Sequence, residues 1–99
     1  MNEFEEVLAC IPFGVESAVS RSYLSAKLGM PDRAVRKCIQ NARTAGHIII
    51  NDQSGRGYYQ SDDIDHIEKQ YRLNKSRAMS ILVQQKYLRR RLKEAGREV

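Results

Sequence analysis

The chain has 99 residues, 41% of them apolar and 29% charged, with a net charge of +5. That length suits one domain with little room for a second, and the composition is that of an ordinary globular protein. No apolar run approaches the roughly 18 residues of a membrane span, and the acidic start at Glu3, Glu5 and Glu6 is unlike a signal peptide, which leaves the cytoplasm as the expected location.

Charge is laid out unevenly. Residues 1–19 carry four acids and no base, residues 20–61 seven bases and two acids, and residues 62–99 ten bases and six acids. Two positive blocks point to a polyanionic partner; the plainer alternative is charge that only keeps the chain soluble. Cys10 and Cys38 stand in apolar surroundings and read as reduced core residues.

Phe4, Val7, Leu8 and Ile11 recur at helical spacing, with Glu3, Glu5 and Glu6 on the other side. They predict a packing helix over residues 2–11, capped by Asn2 and ended by Pro12 and Gly14. A short connector follows, in which Ala18 and Val19 suit a stub of strand. Ser20 or Ser22 then caps a helix over Arg21 to Leu28, with Tyr23, Leu24, Ala26 and Leu28 as its apolar contacts. Gly29 supplies the left-handed residue of a sharp helix end, and Pro31 suits the first turn of the next helix. In that helix Val35, Cys38, Ile39, Ala42 and Ala45 form one apolar stripe, closed by Gly46. Arg33, Arg36, Lys37, Gln40, Asn41 and Arg43 fall on the other side.

The β-branched run from His47 to Asn51 predicts a strand, residues 52–57 a turn, and Tyr58 to Gln60 the returning strand. Arg56 lies between Gly55 and Gly57, where the backbone can approach another molecule closely. Of Tyr58 and Tyr59, one is expected in the core and the other exposed, because neighbours on a strand point to opposite faces.

From Asp62, with Ser61 or Asp62 as cap, nothing breaks a helix before Gly96. Taking Ile64 as heptad position a puts Ile64, Ile67, Tyr71, Asn74, Ala78, Ile81, Gln85, Leu88, Leu92 and Ala95 at a and d. Eight of these ten are apolar or aromatic, which predicts pairing of this helix in a homodimer, with Asn74 and Gln85 setting register. Leu82 widens that surface together with Met79, Val83 and Tyr87. A rival reading breaks the helix at Leu73–Ser76 and folds it back; the unbroken heptad phase across Asn74 favours continuity. The basic cluster Lys86, Arg89, Arg90, Arg91, Lys93 and Arg97 suits phosphates, an acidic partner, or simply a solvated exterior.

The order helix, stub strand, helix, turn, helix, two-stranded wing resembles a winged helix-turn-helix of the bacterial and phage regulator type. VSRSYLSAKLGM, DRAVRKCIQNARTAGHIII and SGRGYY carry the resemblance, which covers roughly residues 3–60. Pro31 departs from the serine or threonine cap common in that family. The resemblance implies a mainly α fold with a small β-hairpin and a DNA-binding domain over residues 1–61; the heptad pattern adds a long dimerisation helix over residues 62–99. It implies that Arg33, Arg36, Lys37 and Gln40 face the major groove, with Asn41 and Arg43 at its edge on phosphates. Ser20, Arg21 and Ser22 would then contact phosphates, and Arg56 at the wing tip would enter the minor groove. The function so implied is sequence-specific binding of double-stranded DNA by a homodimeric transcriptional regulator. A phage replication or packaging factor, or a protein-docking module on the same fold, are the alternatives.

Nothing in the chain reads as an enzyme, a metal site, a cofactor site or a small-molecule site. His47 and His66 are far apart without ligand spacing, and no phosphate-binding glycine loop or nucleophile elbow occurs. Asp62, Asp63 and Asp65 are explained by helix capping.

Overall fold

The computed structural model describes residues 3–52 and 54–99, the side chain of Glu3 excepted. The expected cap at Asn2 and the turn position of Gln53 lie outside the described residues. The fold is mainly helical, with one antiparallel hairpin and a long C-terminal helix. In order it comprises α1 (Glu3–Ala9), a 3-10 turn (Val15–Ser17), α2 (Arg21–Leu28), α3 (Asp32–Thr44), β1 (Ile49–Asp52), β2 (Gly57–Gln60) and α4 (Ile64–Glu94). One compact unit ends at Ile67; the second is Glu68–Val99.

The core of the first unit is where α1, α2 and α3 pack on one another. Val7 and Ile11 meet Leu24, then Val35, Cys38, Ile39 and Ala42 from α3, and Ile49 from β1. The apolar stripe expected of α3 is therefore its buried face, apart from Ala45, which is exposed beyond the helix end. Cys38 is buried and Cys10 half-buried. On α2 only Leu24 is buried; Tyr23 and Ala26 point to solvent, against expectation. Tyr23 instead takes Lys27 over its ring, and Lys27 Nζ donates to its hydroxyl at 3.3 Å.

The helix ends are specified locally. Ser20, not Ser22, caps α2: its hydroxyl accepts the Tyr23 N–H at 3.0 Å. Ser20→Ala should cost about 1 kcal/mol in a denaturant titration, whereas Ser22→Ala should stay within about 0.5 kcal/mol. Gly29 ends α2 at φ 63, its N–H donating to Ser25 O. Pro31 sits just before α3 in extended conformation and makes no side-chain cap; its carbonyl accepts from Ala34 and Val35. Beyond α3, Gly46 at φ 101 lets the His47 N–H donate back to Ala42 O at 3.0 Å. That reversal consumes the donor of His47, so the strand starts at Ile49 rather than His47.

The hairpin pairs Ile49 with Gln60, Ile50 with Tyr59, Asn51 with Tyr58 and Asp52 with Gly57. The expected strand stub forms: Val19 and Tyr58 exchange both backbone hydrogen bonds, at 2.9 and 2.7 Å. A further bridge joins Phe13 to Gln60, and the Gln60 amide donates to Ile11 O at 2.9 Å. The tyrosines differ from expectation. Tyr58 is half-buried against the core, and Tyr59, on the opposite face, is only 4% exposed. His66, from the first turn of α4, supplies the second cover: its ring meets Tyr59 edge-on, and Nδ1 lies 3.1 Å from the tyrosine hydroxyl. Burial raises the Tyr59 phenol above its ordinary value, and Asp52, Asp63 and Glu16 add to this, so the hydroxyl stays protonated.

The cap of α4 is Asp63, neither Ser61 nor Asp62. Its carboxylate accepts the N–H groups of Asp65 and His66, while Ser61 accepts from Asp63 one step earlier. The helix runs unbroken through Leu73–Ser76 for 31 residues, a length of about 46 Å at 1.5 Å per residue. Gly96 ends it at φ 81, with Arg97 N–H donating to Leu92 O.

Candidate nucleic-acid interface

The turn after α2 sets α3 with one face in the core and the other in water. Arg33, Lys37 and Gln40 follow one another at four and three residues, opposite the buried Val35, Cys38, Ile39 and Ala42. Arg36 and Asn41 flank that row, and all five side chains are exposed. Among the described residues no carboxylate holds Arg33, Arg36 or Lys37 in an ion pair. α3 is 13 residues long, about 20 Å at 1.5 Å per residue. A cylinder of helix with side chains, about 10–12 Å across, matches a B-DNA major groove about 12 Å wide.

Thr44 continues the row one turn beyond Gln40 and is exposed. It was legible from spacing, since it stands four residues after Gln40 on the side opposite Ala42.

Arg43 is placed differently from expectation. It is half-buried, with Nε and Nη2 both donating to Ile49 O at 3.1 and 2.9 Å, and its guanidinium lies over the Tyr58 ring at 5.8 Å. This geometry ties α3 to the hairpin, and it takes Arg43 out of the outward-facing set.

The start of α2 lies beside the start of α3, because Arg21 Nε is 3.3 Å from the Asp32 carboxylate. That exposed ion pair engages Arg21 with a carboxylate. Ser20 and Ser22 remain exposed next to it, although the Ser20 hydroxyl is engaged as the cap. Arg56, at the turn between the strands, keeps 60% of its side chain exposed and has Asp52 at 3.9 Å. The Ser54 hydroxyl, then the Ser54 N–H and Arg56, hold the Asp52 carboxyl below its ordinary value. An exposed pair at this distance contributes little and leaves the arginine able to move to another anion.

In the second unit, the residues expected at a dimer seam are in the open. Tyr71, Ile81, Leu88 and Leu92 are exposed, as are Leu82, Met79, Val83 and Tyr87. Asn74, Ala78 and Gln85 are exposed too, and no residue of α4 is buried. Ile64 is exposed, while Ile67 is half-buried.

Among the described residues there is no group of three His, Cys, Asp or Glu side chains placed to hold a metal ion, and no helix long and apolar enough to cross a membrane. Comparison with protein-family models, with curated proteins and with solved structures finds no match.

Proposed function

We propose that the chain is a winged helix-turn-helix protein of the cytoplasm that binds double-stranded DNA as a homodimer and acts as a transcriptional regulator. The observation that carries this reading is the outer face of α3. Three cations and an amide stand on a helix whose opposite side is locked into the core, without intramolecular counter-ions among the described residues. Arginine and lysine suit guanine O6 and N7, and glutamine suits adenine N6 and N7. Ser22, Asn41 and Arg56 lie at the periphery and suit phosphates or the neighbouring minor groove. Pairing through α4 doubles a small head into a two-fold unit that reads an inverted repeat. Recognition and binding account for the exposed groups without an enzymatic step or a cofactor.

Selection of bound sequences from a random duplex pool tests this directly. An inverted repeat should be enriched, and binding should weaken steeply as salt rises, by about 0.9 log units per log unit of salt for each phosphate neutralised. No retained duplex even at low salt would sink the DNA reading and favour protein docking.

A further inference from the structure

The apolar seam of α4 is exposed in the second unit along its whole length, a face that a second helix would cover. The proposed homodimer supplies that partner without stating the direction of pairing. We infer that α4 pairs with α4 of a second copy in antiparallel orientation, in a register that sets Ala78 against the partner's Ile81.

Charge and side-chain volume choose the direction of this arrangement, and the polar seam residues choose its register. The first feature is the distribution of charge. Residues 62–68 carry four acids and no Lys or Arg, while residues 86–97 carry six bases and one acid. A parallel pair sets acid beside acid and base beside base, whereas an antiparallel pair sets each acidic end against a basic one. At about 10 Å between helix axes the charges lie within a Debye length, so the repulsion in the parallel pair is felt. Helix dipoles also align favourably only when antiparallel.

The second feature is the position of the two polar seam residues. In this register Asn74 faces the partner's Gln85, and Gln85 faces the partner's Asn74. Among antiparallel registers this one matches both amides of the seam with an amide; a parallel pair in register does so too, so this feature selects the register and not the direction. On its own helix, the Asn74 carbonyl already accepts from Gln70 at 2.8 Å. Its amide N–H groups point the pairing toward a carbonyl, which Gln85 carries.

The third feature is side-chain volume. The antiparallel register sets the small Ala78 against the partner's Ile81, and Tyr71 against the partner's less bulky Leu88. A parallel pair sets Ala78 against itself and Tyr71 against itself, leaving a void in one layer and crowding in another.

At the flank, Glu68 comes beside the partner's Arg89. Glu68 Oε1 holds Arg72 of its own helix at 2.8 Å, and the second carboxylate oxygen can accept from the partner. The starts of the two helices then lie at opposite ends of the pair, about 46 Å apart.

Two measurements on the full chain decide it. For the first, Lys69→Cys carries a spin label on a Cys10→Ser background, since Cys38 is buried. An antiparallel pair offsets the two labels by about 31 Å along the axis and separates them by about 35 Å or more. A parallel pair brings them to about 20 Å. For the second, sedimentation equilibrium follows the dimer at low salt. Glu68→Lys and Arg89→Glu should each weaken it about tenfold, and the double variant should restore it. In a parallel pair Arg89 faces the partner's Gln84, and the double variant restores nothing. A dimer with labels near 20 Å, or without rescue, overturns the orientation and leaves the homodimer standing. A monomer overturns both.

Discussion

Gly57→Ala should destabilise the first unit by about 3 kcal/mol or more, the largest loss expected of any glycine-to-alanine change in this chain. Gly57 opens β2 at φ 112, and a Cβ there would lie 2.2 Å from Val19 O and 2.4 Å from Val19 C. Both neighbours are backbone, so neither can swing aside. Nor can the strand shift, because Tyr58 and Val19 exchange two hydrogen bonds one residue further on. The substitution must break that bridge, leave four backbone groups in need of partners, and hold an L-residue in a left-handed conformation. Gly55→Ala is the control. It shares a positive φ, 93, but nothing lies within 4 Å of its added carbon. Its cost should be about 1 kcal/mol, from conformation alone. Chemical denaturation followed by far-ultraviolet circular dichroism separates the two, and equal losses would show that close approach to Val19 is not what requires glycine.

Reversing charge at two points on α3, Arg33→Glu with Lys37→Glu, should weaken duplex binding at least about 30-fold, taking about 1–3 kcal/mol for each specific base contact removed. The salt dependence should become shallower, by about 0.9 for each phosphate no longer neutralised. Stability should change by about 0.5 kcal/mol or less, since both side chains are exposed and unpaired among the described residues. Arg43 makes an informative contrast. Its loss should open the link between α3 and Ile49 and so act through folding, whereas the double variant on the α3 face should leave the fold intact. Fluorescence anisotropy across a salt series, with melting curves on the same samples, distinguishes these. Unchanged affinity in the double variant would remove α3 as the reading element.

Much of this architecture can be read one residue at a time. The apolar residues of α3 recur at three and four positions, and a helix that repeats every 3.6 residues has to gather them on one side. Gly29 and Gly46 end their helices because only a residue without Cβ enters the left-handed region easily, and both do so. α4 is continuous because nothing within it breaks a helix and its apolar phase does not slip. The outward row Arg33, Lys37 and Gln40 follows from the buried one by geometry, which made most of the candidate interface visible from sequence.

Other properties depend on what lies far away along the chain. Tyr58 and Tyr59 alternate as a strand requires, yet neither is fully exposed, because His66 comes from α4 to cover the second face. Arg43 has the composition and spacing of a phosphate contact, but the carbonyl of Ile49 stands within its reach and the Tyr58 ring lies beneath it. Gly57, legible as a turn glycine, is required by the backbone of Val19 pressing against it. Periodicity, capping and turn preference act within a few residues, and they suffice for the helices, the hairpin and the amphipathic face of α3. Contact with a distant segment depends on how those elements pack, and it is that packing which turns some basic side chains outward and sets Arg43 to brace the fold.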